Sequence, residues 1–388
     1  MKNKSMDLLF ERKFPCKVIM GRGILADVKN NLLPYLPEAK VVILTNPKLN
    51  RLYGKNLIAD LINQGINVHT VVIPDSEKTK DLATTKRVCD KLLAWQTNRF
   101  TTLITLGGGV IGDLGGFIAA IFMRGIPLIH IPTTLLAQID SSIGGKVAIN
   151  HEKAKNIIGN FYHPKVVLVD SELLLSLPLP QIKNGLVEAI KIAIISNHSF
   201  FNWLEDNIEK ILQKDQVTMD TLVEQAVQAK INIVLSDPWE NNKRQYLNLG
   251  HTIGHVWETM GNYTRITHGE AVALGLLMET KIAYNMGICS EDCQKRINDI
   301  LSALFNTCSS KPWSSLLLKK MLNVNLKIDT NIDFKKFWNI LTLDKKNKQK
   351  GVVCVLPEKL GKVRLWEPMD KKLVKKALED FFNHYRSL

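Results

Sequence analysis

Thr101-Thr102-Leu103-Ile104-Thr105-Leu106 runs straight into Gly107-Gly108-Gly109-Val110-Ile111-Gly112-Asp113. A short apolar run that ends in glycines and opens a periodic stretch, Ile111 to Phe122, reads as a strand, a tight turn and a helix. The turn satisfies G-x-G-x-x-G, which lets a backbone come close to a pyrophosphate at a helix N-terminus. The acid expected about twenty residues onward to hold a ribose is absent, because that window holds Pro127 to Thr133. The turn Asp75-Ser76-Glu77-Lys78-Thr79-Lys80 is an alternative source of that carboxylate. A glycine turn kept only for strand-to-helix packing is the other reading.

Working outward, the same alternation continues on both sides. Lys40 to Thr45, Asn67 to Val72 and Pro127 to Ile131 read as strands. Leu57 to Asn63 and Lys80 to Gln96 read as helices, and residues 1–35 as an edge strand followed by a helix. Strands alternating with helices imply a parallel sheet covered on both faces. After about Leu175 the strand signals fade, and helical periodicity dominates at 183–196, 199–213, 216–235, 248–260, 268–286 and 291–306. Val352 to Leu356 returns as a strand before a final basic helix. The expected plan is an N-terminal α/β domain over 1–178 and a mostly helical C-terminal domain over 179–388.

Composition narrows the function classes. A chain of 388 residues with 45% hydrophobic content buries a sizeable core. The net charge of +14 fits a nucleic-acid binder or an enzyme for anionic substrates. No Lys/Arg block with interleaved aromatics stands in the body of the chain, and the Lys345 to Lys350 run is short, so the enzyme is favoured. The six cysteines are scattered and read as reduced thiols of a cytoplasmic protein. The most apolar region, Phe117 to Ile143, is broken by Arg124, two prolines and Asp140 and is not a membrane span.

Three regions carry chemistry. In Asn248-Leu249-Gly250-His251-Thr252-Ile253-Gly254-His255, two imidazoles four apart share a helix face, and His268 opens the next helix. Three imidazoles so close point to a metal or a phosphate. A catalytic zinc takes three protein ligands and keeps one open position, so a further ligand has to come from elsewhere. A pair of surface histidines on one amphipathic helix is the competing reading. In Gly185-Leu186-Val187-Glu188-Ala189-Ile190-Lys191, Glu188 and Lys191 lie three apart on an apolar face. They are either an ion pair within one helix or the missing ligand and a substrate contact. Pro132 to Lys146 packs hydroxyls, Asp140, paired glycines and Lys146 into an apolar setting; Lys146, with Lys155 and Asn156 nearby, can present cations and donors to a phosphate, although each lysine alone also reads as a solvated surface charge. Lys230, Asp237, Glu240 and Arg244 lead into Asn248 as a charged rim.

Six motifs stand in order: GGGVIGDLGGF (107–117), MRGIPLIHIPTTLLAQIDSSIGGK (123–146), KNIIGNF (155–161), GLVEAIK (185–191), LNLGHTIGH (247–255) and HGEAVALG (268–275). With them the chain resembles the 3-dehydroquinate synthases, of the sugar-phosphate cyclase group, over nearly its whole length. The resemblance implies an α/β nucleotide-binding domain and a helical metal domain with a cleft between them. It also implies a homodimer, NAD retained through turnover, and zinc, with cobalt as a substitute, held by Glu188, His251 and His268. The implied reaction converts 3-deoxy-D-arabino-heptulosonate 7-phosphate to 3-dehydroquinate and phosphate, in the shikimate route to aromatic amino acids.

Carried over by position, Asp140 and Lys191 hold substrate hydroxyls, and Lys230, Arg244 and Asn248 take the carboxylate. Lys146, Asn156, His255 and Lys346 surround the phosphate, with Arg124 reaching into the neighbouring subunit's site. Asn46, Glu77, Lys80, Gly108, Gly109, Val110, Asp113, Thr133, Thr134, Lys146 and Lys155 contact NAD. The chain departs from the family pattern at Val147, where threonine is usual, at Gln181, where glutamate is usual, and at Ile192-Ala193, where Tyr-Gly is common. The rival readings are a sister cyclase making 2-deoxy-scyllo-inosose or a valiolone-type ring, a metal-dependent polyol dehydrogenase, and a basic nucleic-acid binder. Neither nucleic acid nor membrane is an expected partner.

Overall fold

The computed structural model describes residues 15–152, 154–305, 317, 333–342 and 351–386. Lys345 and Lys346 lie outside the described residues.

The first half builds one six-stranded parallel sheet from β1 (Lys17–Gly21), β2 (Lys40–Thr45), β3 (Asn67–Val72), β4 (Thr102–Gly107), β5 (Leu128–Pro132) and β8 (Val166–Asp170). The spatial order is β1-β8-β5-β4-β2-β3. Helices α1 (Lys55–Asn63), α2 (Leu82–Ala94) and α3 (Gly109–Ile121) connect strands. Alternation along β2 shows why its run is uniformly apolar. Val42 and Leu44 enter one core with Leu103, Ile111 and Leu114, while Val41 and Ile43 enter the other with Leu57, Leu61 and Ile104. A sheet buried on both faces has no polar side to write into its sequence.

The chain reverses direction across the sheet at β2. β3 pairs on one side of it and β4 on the other. In open α/β sheets such a switch point opens a crevice beyond the carboxyl ends of the strands. Asn46 and Gly108, which follow β2 and β4, stand at that crevice.

Two differences from the sequence expectations have physical causes. A hairpin of β6 (Lys146–His151) and β7 (Ala154–Phe161), to which the sequence reading assigns no element, leaves the main sheet. Its apolar members, Val147 and Ile149, are buried against α3, whereas much of β7 is exposed, so the strand signal is diluted by polar residues. The helix expected from Lys80 begins at Leu82, because Asp81 caps it by accepting from Thr84 N at 2.7 Å.

From Leu179 onward helices dominate: α4 (Leu179–Ser196), α5 (His198–Leu212), α6 (Gln216–Ser236), α7 (His251–Met260), α8 (His268–Asn285), α9 (Glu291–Phe305), α10 (Phe334–Thr342) and α11 (Lys371–Arg386). A second hairpin, β9 (Cys354–Lys359) with β10 (Lys362–Trp366), packs among them. α4 is the central helix, buried without interruption from Gly185 to Ile195, so its Glu188 and Lys191 are placed in the core and not on a solvated face. Among the described residues no helix is long and apolar enough to cross a membrane.

One buried titratable group in the sheet has a measurable consequence. His130 on β5 shares a 2.6 Å hydrogen bond between Nδ1 and Thr105 Oγ1, and burial pushes its pKa down to about 4. The unfolded imidazole, near pKa ~6.5, binds a proton that the folded one refuses. Stability from this site is therefore full above pH ~6.5 and falls toward pH 4, by about 2 kcal/mol at pH 5. Denaturant titrations at pH 8 and pH 5 are expected to show that extra acid loss in the native chain and not in His130→Asn. Parallel pH curves for the two proteins contradict it.

Candidate active site

The crevice at the switch point is a cavity of about 810 Å³. Its sheet-side wall is Asn46, Glu77, Lys80, Gly108, Gly109, Val110, Asp113, Thr133, Thr134, Lys155 and Asn156, and its helical wall includes His255, Glu258 and His268. Every residue expected to meet the cofactor lines it except Lys146. Gly108 sits tight under Thr134, since an added Cβ would approach Thr134 Cγ2 to 3.0 Å. Lys80 is buried, pairs with Asp113 Oδ2 at 2.5 Å and also donates to Asn156 Oδ1. Asn150 Nδ2 donates to Glu77 Oε1 at 2.8 Å, so the β6–β7 hairpin fixes the Glu77–Lys80 turn against the glycine turn. Asp75, not singled out as a contact, also lines the cavity.

Beside His268 the cavity wall becomes a ligand set. Ligand atoms of Glu188, His251 and His268 lie within 4.8 Å of one another. His268 Nε2 stands 3.4 Å and His251 Nε2 3.6 Å from Glu188 Oε1. Tetrahedral zinc with bonds of about 2.1 Å separates its ligand atoms by roughly 3.4 Å. His255 is not in the set; its ring meets that of His251 edge-on at 5.6 Å and faces the cavity.

The other nitrogens of the two imidazoles are occupied. His251 Nδ1 is 3.1 Å from the Leu249 carbonyl oxygen, and His268 Nδ1 is 3.5 Å from Glu258 Oε1. Both arrangements put the proton on Nδ1 and aim Nε2 at the same point. Burial opposes charge on His268, but Glu188 and Glu258 overcome it and push its pKa up to about 10, so a metal ligated by Nε2 would displace a proton from that nitrogen.

Behind Glu188 lies a buried charge cluster. Lys191 Nζ pairs with Glu188 and stands 3.8 Å from Asp140 Oδ2, while Lys230 donates to Asp140 Oδ1. Burial would raise the Asp140 carboxyl, but Lys230 and Lys191 outweigh it and hold it well below the usual range. Burial lowers Lys230. Lys191 is raised despite its burial, by Glu188 and Asp140. Arg244 is 1% exposed and donates to Gly144 O at 2.8 Å and Pro238 O at 2.7 Å. Gly144 is needed there: with φ +104°, its Cβ would stand 2.3 Å from Arg244 Nη2. Lys146 pairs with Glu240 on this side, away from the glycine turn. Asn248, half-buried, ends the Lys243–Asn248 turn. Arg124 is exposed at the end of α3 and does not line the cavity.

Residues 70–184 match the family model of the 3-dehydroquinate synthase N-terminal part, and residues 185–347 that of the C-terminal part. The chain belongs to the 3-dehydroquinate synthase family. A 3-dehydroquinate synthase of Thermodesulfovibrio yellowstonii is 37% identical over 372 residues, covering 96% of this chain and 98% of the relative. The chloroplastic 3-dehydroquinate synthase of Arabidopsis thaliana is 39% identical over 323 residues, covering 82% of this chain and 72% of the relative. Among solved structures, a 2-deoxy-scyllo-inosose synthase complexed with carbaglucose-6-phosphate, NAD+ and Co2+ superposes with TM-score 0.80 at 26% identity, over 94% of this chain and 96% of that one. The 2-epi-5-epi-valiolone synthase of Streptomyces hygroscopicus subsp. jinggangensis shares the fold, with TM-score 0.85 at 23% identity, over 98% of this chain and 100% of that one.

The residues of this 3-dehydroquinate synthase family member suit both groups that the family implies. Both Glu188 oxygens are buried, with the Lys191 ammonium paired to one and the Nε2 atoms of His268 and His251 standing 3.4 and 3.6 Å from the other. A buried carboxylate left in that state, facing two imidazoles with oriented tautomers, is the chemistry of a divalent-metal ligand. A cavity of 810 Å³ with a helix N-terminus at its floor is of the size that takes a small-molecule cofactor.

Glu258 was missed by the sequence reading. It lies seven residues after His251 on α7, where a lone carboxylate reads as a solvated face; yet it is 8% exposed, buttresses His268 and reaches Lys155 Nζ at 3.8 Å.

Proposed function

We propose that this cleft converts 3-deoxy-D-arabino-heptulosonate 7-phosphate to 3-dehydroquinate and phosphate. The carrying observation is the continuity of the site. The glycine-turn cavity reaches His268, His268 faces Glu188, Glu188 meets Lys191, and Lys191 approaches Asp140 and Lys230. When bound, NAD supplies a hydride acceptor and donor, and zinc on Glu188, His251 and His268 polarises a substrate hydroxyl.

The chain's own residues then do four things. Asp140, kept ionised by Lys230 and Lys191, accepts hydrogen bonds from substrate hydroxyls. Lys191 donates to a hydroxyl from a site too dry for water to compete. Lys230, Arg244 and Asn248 take the carboxylate. Lys146, Asn156, His255 and Lys346 hold the phosphate, with Arg124 donated across a homodimer. No separate base beside the leaving phosphate is assigned, since the phosphate dianion itself can take the neighbouring proton. Orientation by these fixed groups is the main contribution of the protein.

The same reading divides the chain at 178/179 into nucleotide-binding and metal-binding domains and places it in the cytoplasm; its free cysteines suit a reducing compartment. The carboxylate rim separates this substrate from those of sister cyclases. Purified protein is expected to release phosphate from the heptulosonate phosphate, and not from glucose 6-phosphate or sedoheptulose 7-phosphate. Release from either sugar phosphate in preference to the heptulosonate transfers the assignment to a sister cyclase.

A further inference from the structure

Glu279 on α8 is 0% exposed, and no step of the chemistry uses it. Its carboxylate accepts from two backbone N–H groups at the start of α7: Gly250 N at 2.5 Å and Ile253 N at 3.2 Å. The first N–H groups of a helix lack intrahelical partners and are normally met by the N-cap side chain. Here the N-cap is Gly250, in the left-handed region at φ +76°, and it has no side chain to offer. It also has no room for one. A Cβ on Gly250 would stand 2.8 Å from Leu276 Cγ and 3.0 Å from Val272 O. The two helices pack too closely for a local cap, so a carboxylate from the facing helix takes its place.

The position of that carboxylate matters more than the cap. The N–H of Gly250 and the C=O of Leu249 belong to one peptide group. Glu279 Oε2 accepts from its N–H, and the Leu249 oxygen on the opposite side is 3.1 Å from His251 Nδ1. The order is carboxylate, peptide, imidazole, metal-facing Nε2. Metal-bound histidines commonly give their second N–H to a carboxylate or a backbone carbonyl, which orients the ring and raises its basicity. Aligned hydrogen bonds polarise one another, and low dielectric strengthens them.

We propose that Glu279 is a positioning residue for the metal site, which acts on His251 through the Leu249–Gly250 peptide. Its charge fixes the peptide plane and makes the Leu249 oxygen a stronger acceptor, and that holds His251 in the tautomer and orientation that present Nε2 beside Glu188 and His268. The proposal rests on the metal reading of those three residues.

The test measures zinc affinity by competition with a chromophoric chelator, on native chain, Glu279→Gln and Asn197→Ala. Asn197 caps α5 by accepting from Phe200 N at 3.1 Å, so its variant loses a cap outside the metal set. Glu279→Gln is expected to bind zinc about 10- to 100-fold more weakly. The visible bands of its cobalt-loaded form are expected to shift, while NAD affinity stays within about twofold. Asn197→Ala is expected to lower the melting temperature and leave zinc affinity unchanged. If Glu279→Gln does not fold, Glu279→Asp, which keeps the charge but cannot span both N–H groups, carries the same expectation. Zinc affinity within about twofold of native in a folded Glu279 variant, or an equal loss in Asn197→Ala, overturns the proposal. A native chain that takes up no zinc overturns the metal reading with it, whereas native uptake with an unaffected variant overturns this proposal alone.

Discussion

Glu188→Gln is expected to lower kcat/KM by about a thousandfold or more and to release the metal. The substitution keeps the volume and removes the one anionic ligand of the set. A bound metal supplies several kcal/mol of charge stabilisation in a reaction of this kind, and each ~1.4 kcal/mol is a factor of ten. The variant also leaves Lys191 without its nearest counter-charge, although Asp140 remains at 3.8 Å. Breaking a buried pair costs about 3–5 kcal/mol, so turnover has to be compared at a temperature where a melting curve shows both proteins folded. Metal content of the purified protein gives a second readout. A folded Glu188→Gln with more than a tenth of native turnover removes Glu188 from the ligand set.

Gly275→Ala is the second large effect, and it comes from backbone contact. An alanine Cβ at this point of α8 would lie 1.9 Å from Gly250 O, 2.8 Å from Gly250 C and 2.9 Å from Gly254 N. These are backbone atoms of α7 and of its N-cap and cannot rotate aside. The two helices must separate by more than 1 Å, which places the change at or beyond the upper end of overpacking penalties, about 3 kcal/mol. The separation acts on function too, because α7 carries His251 while α8 carries His268 and Glu279. A displacement of about 1 Å in a catalytic constellation can cost a factor of 100. The expected result is a lower melting temperature together with weaker zinc binding and a fall in kcat/KM of about a hundredfold. Native stability and turnover in Gly275→Ala contradict the close approach of the helices.

These two positions show what was legible in the chain. The candidate set's two histidines stand in the single stretch 248–270, but that stretch also offers His255, and in the sequence only the family resemblance singles out His251 and His268; His268 opens α8 as expected, with Thr267 and Glu270 forming a capping box. Glu188 is about sixty residues upstream, so spacing alone left it between ion pair and ligand. The fold shows that it pairs with Lys191 and also faces both imidazoles. Strands β2 to β5 were readable one by one and β1 as an edge strand, with the uninterrupted apolar runs of β2 and β4 reflecting burial on both faces, whereas β8 went unread although it is as fully buried. The order of the sheet was not readable, since nothing local records that β4 pairs with β2 on the side opposite β3. Glu258 and Glu279 escaped for one shared reason. A single carboxylate inside an amphipathic helix reads as solvated, and only the packing of α7 on α8 and of His268 on α7 turns each inward.

The most direct test of the central claim follows phosphate and absorbance at 340 nm together, with the heptulosonate phosphate as substrate and NAD far below substrate concentration. The expected result is stoichiometric release of phosphate over many turnovers, no net NADH, and loss of both activity and bound metal on addition of a chelator, restored by zinc. NADH accumulating in step with substrate consumption, or phosphate release unaffected by the chelator, would contradict a metal-dependent cyclase that oxidises and re-reduces its substrate in one cleft.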